Sequence, residues 1–277
     1  MHIFCLYFDL QIYPMERKPR GRCVIINIRN FKELSGRNGS DVDMDRTKKL
    51  FTALHFECTI FQDLTANEMM EVLSKAAQEE QQKVADCLVV VLMSHSNKDV
   101  IYGSDDESIP LKSIYEVFDN KNCPSLLGKP KLFFIQGCRG GKLDTGTAKH
   151  GPRDVMDAYP LPSNTESVPG TRDGRLRMPF WSDMYSCYVS DDNYKAHKNT
   201  ATGSRFLSAM CSVFSQRAYD MHLSDLMLHV QLKVMESVSH KGNHQTPCIT
   251  CVGWRKHLYF NPGLPVDPIP QPTPCTE

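Results

Sequence analysis

Two short segments made only of apolar residues constrain the fold of this chain more than any other feature. They span residues 87–93 and 132–135, and a polar residue follows each at once. A run of this length is short for a helix and lacks the alternation of a half-exposed strand, so each predicts a strand buried on both faces. Strands of that kind belong to parallel sheets that helices cover on both sides.

Further strand patterns flank these two segments. Short runs rich in β-branched and aromatic residues predict strands at 23–28, 56–61, 184–189, 247–252 and 258–260. Helical patterns separate the strands over residues 22–138. This alternation predicts an α/β fold with a mainly parallel sheet.

Helix-start signals agree with the alternation. Ser40 and Asp41 can cap a helix that precedes the strand at 56–61. Thr65, with Glu68 three residues later, has the pattern of a capping box and predicts the start of the next helix. Two more helices are predicted in the last third of the chain, around 203–217 and 224–237.

A histidine and a cysteine come directly after the two central strands. His95 follows the first apolar segment, and Cys138 follows the second, with Gly137 before it and Gly140 close behind. Because the ligands of parallel sheets bind at the carboxyl ends of strands, we expect both residues at one edge. A thiol becomes a strong nucleophile when a base takes its proton and N–H groups stabilise the oxyanion. We therefore predict catalysis by Cys138 with His95 as its proton partner.

Residues 129–140 read Lys-Pro-Lys-Leu-Phe-Phe-Ile-Gln-Gly-Cys-Arg-Gly and resemble the active-site segment of the caspases, a family of cysteine endopeptidases. The resemblance extends over residues 20–263 and implies a three-layer α/β/α fold. In that fold the central sheet is six-stranded and mostly parallel, and one chain supplies a large and a small subunit. The implied division is a short N-terminal segment (1–20), the large-subunit part (21–145), a processable linker (146–178), the small-subunit part (179–263) and a disordered tail (264–277).

The resemblance also implies a pocket for the side chain of a substrate aspartate. Arg37 and Gln136 match two pocket residues, and Lys198 stands where the family has a second arginine. A guanidinium fork suits a carboxylate, which favours cleavage after aspartate and contradicts cleavage after basic residues. By the same resemblance, the carbonyl of Ser35 should orient the imidazole of His95.

Four positions depart from the family pattern. Ser96 replaces the glycine whose N–H, beside that of the nucleophile, holds the oxyanion, and Gly137 replaces an alanine. Lys198 loses the bidentate fork of arginine, and Arg205 stands where an aromatic residue is expected. If the Ser96 position needs a positive φ, serine costs about 1 kcal/mol or more. The alternative hypothesis is a catalytically weak or inactive homologue that regulates an active caspase by dimerisation.

The predicted linker contains two candidate processing sites. Asp154 and Asp157 lie three residues apart before Ala158, and Asp173 precedes Gly174. The resemblance implies a zymogen that is cut after Asp157 or Asp173 and activated by dimerisation. Its partners would be protein substrates with exposed aspartate sites, a second copy in a heterotetramer of two large and two small subunits, and other caspases.

The composition excludes several other classes of function. The chain has 32 basic and 32 acidic residues, so neither nucleic acid nor an anionic membrane is an expected partner. Its 11 cysteines form no regular framework and no secretory signal is visible, which predicts free thiols in the cytoplasm, with the nucleus as second compartment. Cys248 and Cys251 have a zinc-like spacing, but a single pair on a strand is a weak signal. We expect no metal and no cofactor.

Overall fold

The computed structural model describes residues 11–140, 143, 178–190, 198–199, 202–237 and 242–261. Strands in that part of the chain form one six-stranded sheet, one three-stranded sheet and one two-stranded sheet. In chain order the strands are β1 (Arg22–Asn27), β2 (Glu57–Gln62), β3 (Leu88–Met93), β4 (Ser96–Asn97), β5 (Val100–Tyr102), β6 (Ser108–Pro110), β7 (Lys131–Gln136), β8 (Met184–Tyr188), β9 (Lys198–Asn199), β10 (Gly203–Ser204) and β11 (Cys248–Val252).

The six-stranded sheet is parallel except at one edge. Its strand order is β11-β8-β7-β3-β1-β2, and only the edge strand β11 runs antiparallel to its neighbour. Every residue of β3 and β7 is buried, as expected for central strands covered on both faces. The predicted six-stranded, mostly parallel sheet is confirmed.

Helices cover both faces of this sheet. They are α1 (Ser40–Ala53), α2 (Ala66–Gln78), α3 (Gln81–Val84), α4 (Leu111–Val117), α5 (Arg205–Arg217) and α6 (Leu223–Glu236). Along β1, Cys23 and Ile25 join an apolar cluster with α1, α5 and α6, whereas Val24 and Ile26 join a second cluster with α2 and α4. Alternate residues thus face opposite layers, and the three-layer α/β/α arrangement is confirmed.

The two predicted helix starts differ in outcome. Thr65 and Glu68 form the predicted capping box at the start of α2. At α1, however, the residue before the helix is Gly39 in the left-handed conformation, with no side-chain cap. Ser40 is the first helical residue and is buried, so the prediction that it caps the helix is wrong. The backbone enters α1 with a φ of 82° at Gly39, and glycine adopts this angle at little steric cost.

The strand predicted at 258–260 is also wrong. His257 pairs with Ile12 and Tyr259 pairs with His222, each as a single isolated bridge. Leu258, between the two bridged residues, and Phe260, after the second, are both buried. Their alternating burial resembles that of a strand, although no continuous ladder forms around them.

Residues 11–20 pack against the part of the chain predicted to be the small subunit. Tyr13 and Met15 are each 1% exposed, and the Tyr13 hydroxyl donates to the buried carboxylate of Asp183 at 2.7 Å. Of the predicted linker only Met178 lies within the described residues, and the predicted tail 264–277 lies outside them. Within the described part of the chain, no helix has the length and apolarity to cross a membrane.

Candidate active site

The two residues predicted to react together follow neighbouring strands. Met93 in β3 and Gln136 in β7 are register partners, and His95 and Cys138 each come two residues after them. Because the two strands are parallel and hydrogen-bonded, both residues emerge at the same edge of the sheet. The structure therefore brings His95 and Cys138 to the carboxyl end of the central strands, where the sequence analysis expected them.

One hydrogen bond fixes the orientation of the His95 ring. Its Nε2 atom lies 2.7 Å from the carbonyl oxygen of Ser35, the contact that the resemblance implied. A carbonyl oxygen only accepts, so Nε2 carries the proton and Nδ1 is the basic nitrogen of the neutral ring. The ring of Phe31 packs against the imidazole with centroids 4.6 Å apart. His95 is thus held in the tautomer that can accept a proton through Nδ1.

Cys138 is a half-buried residue in the segment after β7, and its sulfur is not part of a disulfide. Its carbonyl oxygen accepts a hydrogen bond from the Ser96 hydroxyl at 2.5 Å. Ser96 directly follows His95, so this bond ties the segment of the cysteine to that of the histidine. The backbone penalty considered for Ser96 does not arise, because its φ lies outside the left-handed region.

The β4–β5 ladder does not use the backbone N–H of Ser96. Ser96 lies opposite Ile101, and the Tyr102 N–H donates to the carbonyl of His95 at 3.0 Å. In an antiparallel ladder this pattern makes Ser96 and Ile101 a non-hydrogen-bonded pair. The N–H of Ser96 therefore points away from β5, as an oxyanion donor must.

Arg37 is buried close to the cysteine. It is 7% exposed, and Nη1 donates to the carbonyl of Ile28 at 2.9 Å and to Asn27 Oδ1 at 3.4 Å. Burial lowers the pKa of Arg37 to about 10, while the Asp43 carboxylate and, when ionised, the Cys138 sulfur favour its charged form. The guanidinium is therefore positive at neutral pH, and it lies within electrostatic range of Cys138.

Gln136 and Lys198 complete the predicted pocket residues. Gln136 ends β7, is 3% exposed, and its Oε1 has no hydrogen-bond partner among the described residues. A buried amide oxygen without a partner is costly, which is typical of a site that a ligand or water completes. Lys198 lies in β9, whose backbone pairs with Ser204 of β10.

Asp43 is a residue that the sequence analysis did not single out. It is fully buried in the first turn of α1, and its two carboxylate oxygens both accept from the Ser204 N–H at 2.9 Å. Burial raises the pKa of this carboxyl, against the opposing effects of the Ser204 hydrogen bonds and the Arg46 and Arg37 charges. Asp43 thereby connects the β9–β10 ribbon, which carries Lys198, to the surroundings of Arg37.

The sequence model of the caspase domain family matches residues 20–259, most of the chain. This chain belongs to the caspase family. Similar proteins include caspase-2 of Gallus gallus, 32% identical over 81% of this chain, and caspase-7 of Gallus gallus, 30% identical over 90%. Caspase-3 of Mesocricetus auratus is 32% identical over 92%. The matches cover 53%, 79% and 88% of those relatives, so the chain spans about half the length of the caspase-2.

A second contact that sequence reasoning missed lies beside Cys138, the residue predicted to be the nucleophile. The guanidinium of Arg139 stands 4.2 Å from the ring centroid of Tyr188 in β8, and its Nε donates to the carbonyl of Lys98 at 3.3 Å. The Tyr188 hydroxyl lies 2.7 Å from that of Tyr115. The only signal in the sequence was that Arg139 follows Cys138, since the aromatic partner is remote in the chain.

Arg205 occupies the position at which the family resemblance predicts an aromatic residue. Its Nη1 donates to the carbonyls of Ser237 at 3.0 Å and Asn243 at 3.3 Å, so the guanidinium connects the start of α5 to the end of α6. Partial burial lowers the pKa of Arg205. Arg205 therefore joins two helices through a charged, hydrogen-bonded side chain.

The remaining predicted site residues can be placed only in part. The candidate processing residues Asp157 and Asp173 lie outside the described residues, so their roles stay predictions. Cys248 and Cys251 lie in β11, opposite Tyr188 and Tyr185. Among the described residues, no group of three or more histidine, cysteine, aspartate or glutamate side chains could hold a metal ion.

Proposed function

We propose that this chain is a cysteine endopeptidase that cleaves protein substrates after aspartate. The observation that carries the proposal is the bond between His95 Nε2 and the Ser35 carbonyl, at 2.7 Å, on the strand next to that of Cys138. That bond leaves Nδ1 as the nitrogen that accepts the thiol proton. Together with membership of the caspase family, it favours a thiol–imidazole pair over a structural cysteine.

The reaction begins when His95 Nδ1 takes the proton of Cys138 and the sulfur attacks the carbonyl carbon of the scissile bond. The carbonyl oxygen becomes negative and accepts hydrogen bonds from the N–H groups of Ser96 and Cys138. As the intermediate collapses, the C–N bond breaks and the leaving amine takes the proton from His95. A water molecule then gives its proton to His95 and attacks the thioester, which releases the acid and restores the thiol.

The preference for aspartate rests on the buried cation. Arg37 is charged at neutral pH and lies near Cys138, where the substrate side chain next to the scissile bond would lie. The unpaired Oε1 of Gln136 only accepts hydrogen bonds, so it would bind a substrate N–H or a water and not the carboxylate, and the preference for aspartate rests on Arg37. In the proposal Lys198 supplies a second positive charge, as a point charge rather than a fork.

Activation is proposed to follow the caspase scheme. Cleavage after Asp157 or Asp173 would separate the large-subunit part from the small-subunit part and free the intervening loops to complete the pocket. Two processed chains would pair through β11, an edge strand with no further neighbour among the described strands. The proposed setting is apoptosis or related signalling in the cytoplasm.

Peptide hydrolysis tests the proposal directly. The full chain, cleaved at Asp157 by an engineered protease site, is assayed with matched fluorogenic peptides ending in aspartate, glutamate or arginine. Cys138→Ala is the test variant and Cys58→Ala is the control, because Cys58 is a cysteine of similar partial burial that lies on the far edge strand β2. Hydrolysis of aspartyl peptides that only Cys138→Ala abolishes supports the proposal. Absence of hydrolysis by a folded, processed dimer contradicts it.

The alternative is a caspase homologue with weak or no activity that acts by pairing with an active relative. Lys198 in place of arginine favours it, because a single ammonium binds carboxylate less specifically than a guanidinium fork. The discriminating measurement mixes Cys138→Ala protein with an active caspase and follows both heterodimer formation and turnover. A changed rate through a heterodimer favours regulation, whereas an unchanged rate together with intrinsic hydrolysis favours the enzyme.

A further inference from the structure

Ser96 and Gly137 are in contact across the two segments that carry the proposed catalytic pair. A Cβ added at Gly137 would overlap the hydroxyl oxygen of Ser96, and it would lie 2.8 Å from Ser96 Cβ and 2.9 Å from the carbonyl oxygen of Ser94. Gly137 does not have a φ in the left-handed region. The glycine is therefore needed for space and not for backbone conformation.

The two positions depart from the family pattern in opposite directions. The resemblance places glycine after the histidine and alanine before the cysteine, whereas this chain has Ser96 and Gly137. One side chain has been added on the histidine segment, and one has been removed from the facing position on the cysteine segment. Interiors are packed closely enough that such changes are tolerated when volume is conserved across the contact.

We propose that Ser96 and Gly137 form a matched pair, in which the glycine admits a Ser96 hydroxyl that positions the nucleophile. The hydroxyl donates to the Cys138 carbonyl at 2.5 Å, so the peptide that carries the reacting sulfur is attached to the residue next to His95. The Ser35 carbonyl holds the imidazole of His95, and the Ser96 hydroxyl holds the peptide of Cys138, so each of the two proposed reacting residues has a fixing hydrogen bond. Ser96 then acts through its side chain as a positioning residue, besides offering its N–H. This inference rests on the proposed peptidase function.

Five variants of the processed full chain separate the two parts of the inference: Ser96→Ala, Ser96→Gly, Gly137→Ala, and the two double variants that combine Gly137→Ala with each Ser96 change. Ser96→Ala removes the hydroxyl but keeps Cβ, and Ser96→Gly removes both. Each variant is measured for kcat and KM on an aspartyl peptide, for the rate of Cys138 alkylation by iodoacetamide followed by peptide mass spectrometry, and for melting temperature.

The positioning role predicts a loss in kcat without a matching change in KM. Losing one hydrogen bond in a water-poor site should lower kcat about tenfold in Ser96→Ala. Alkylation of Cys138 should slow by about fivefold, because the sulfur is no longer held beside the imidazole. A merely structural role would lower the melting temperature while leaving kcat and the alkylation rate of the folded protein unchanged. That result would overturn the positioning role.

The matched-pair part predicts that the effect of Gly137→Ala depends on residue 96. With serine at position 96, Gly137→Ala should lower kcat and the melting temperature strongly. With alanine at position 96 it should still do so, because the Cβ of residue 96 remains in contact with the added methyl. With Ser96→Gly present, the added methyl should lower kcat less than in the other two backgrounds, although it still meets the Ser94 carbonyl oxygen at 2.9 Å. Equal losses in all three backgrounds would overturn the inference.

Failure of this inference can be told apart from failure of the proposed function. If no variant and not even the parent hydrolyses any peptide, the peptidase proposal fails. The alkylation rates and melting temperatures still decide whether Gly137→Ala is rescued by Ser96→Gly but not by Ser96→Ala. If the protein is active but shows no such pattern of rescue, the matched-pair inference is wrong and the peptidase proposal still holds.

Discussion

The guanidinium of Arg139 lies over the ring of Tyr188, 4.2 Å from its centroid, and connects the segment after Cys138 to β8. The Arg139 side chain is 12% exposed and also lies 3.8 Å from the Asp99 carboxylate. Because β8 belongs to the predicted small-subunit part, the contact crosses the boundary that linker cleavage would create. It therefore couples the position of Cys138 to the packing between the two parts.

Replacing the Tyr188 ring should weaken this coupling. Tyr188→Leu removes the cation–π contact and should lower kcat/KM on an aspartyl peptide about fivefold or more, since a partly buried pair contributes about 1–2 kcal/mol. Tyr188→Phe keeps the ring face and should stay within about twofold. The comparison of these two variants by steady-state kinetics checks the prediction. Equal losses would mean that the hydroxyl bond to Tyr115, and not the ring, is what matters.

Replacing Tyr13 should destabilise the whole domain. Its buried hydroxyl donates to Asp183, which also accepts hydrogen bonds from Ser182 at 2.6 Å and from Arg255 at 3.3 Å. Tyr13→Phe removes a hydrogen bond to a buried charged group and should lower the free energy of unfolding by about 1.5–3 kcal/mol. Urea titration of the full chain measures this difference.

Tyr219→Phe is the control for the Tyr13 change. Tyr219 is 47% exposed, so removing its hydroxyl should alter the free energy of unfolding by about 0.5 kcal/mol or less. A Tyr13→Phe variant as stable as this control would show that the Asp183 carboxylate finds full compensation in Ser182 and Arg255.

Cys58 should react as a thiolate near neutral pH. Its register partner Cys23 donates a hydrogen bond to its sulfur, and this bond is the main reason that the pKa of Cys58 falls to about 7, with smaller help from Thr52 and Lys48. The alkylation rate of Cys58 should therefore rise with pH around a midpoint of about 7. Cys23→Ser keeps a donor and should keep this midpoint, whereas Cys23→Ala should move it upward.

The lowered pKa of Cys58 also makes the stability of the fold depend on pH. The folded pKa of Cys58, about 7, lies below the ordinary thiol value of 9.0, so folding favours the thiolate. The contribution is fully present above the unfolded value and is lost as the pH falls through the folded value. Unfolding free energies of the parent and of Cys58→Ala should therefore diverge as the pH is raised from 6 to 9. A constant difference over that range would contradict the depressed pKa.

The central sheet could be predicted from the sequence because burial on both faces leaves a local signature. The apolar segments 87–93 and 132–135 correspond to β3 and β7, and their composition identifies both as buried strands. The edge at which His95 and Cys138 emerge then follows from the parallel direction of the two strands. The strand predicted at 258–260 failed for the converse reason. Leu258 and Phe260 are buried like strand residues, but whether a partner backbone lies alongside them is decided by distant parts of the chain.

The parts of the site that escaped prediction are contacts between remote segments. Asp43 is an acidic residue in the first turn of a helix, and nothing local distinguishes it from a solvated one. Its role depends on the Ser204 N–H, which lies 161 positions away in the sequence. The Ser96–Gly137 contact likewise appears as two unrelated departures until β3 and β7 are placed side by side. Composition and periodicity carry no information about such pairings.

The Asp43–Ser204 connection can be tested with two glycines of similar backbone conformation. Gly203 has a φ of +82°, and a Cβ there would overlap Asp43 Oδ1 and lie 3.0 Å from Asp43 Cγ. Gly128 has a φ of +72° with no heavy atom within 4 Å of an added Cβ. Alanine at Gly128 therefore incurs only the backbone cost, about 1 kcal/mol, whereas alanine at Gly203 also displaces the carboxylate.

Gly203→Ala should consequently affect substrate binding, and Gly128→Ala should not. Displacing Asp43 loosens the β9–β10 ribbon that carries Lys198 and removes a charge that favours the protonated form of Arg37. We expect KM for an aspartyl peptide to rise about tenfold in Gly203→Ala, and we expect this variant to lose more stability than Gly128→Ala, because displacement of the carboxylate adds to the backbone strain that both share. Steady-state kinetics and urea titration of the two variants measure these effects. If KM rises equally in both, general loosening of the fold explains the loss, and the Asp43 carboxylate has no particular part in holding the pocket.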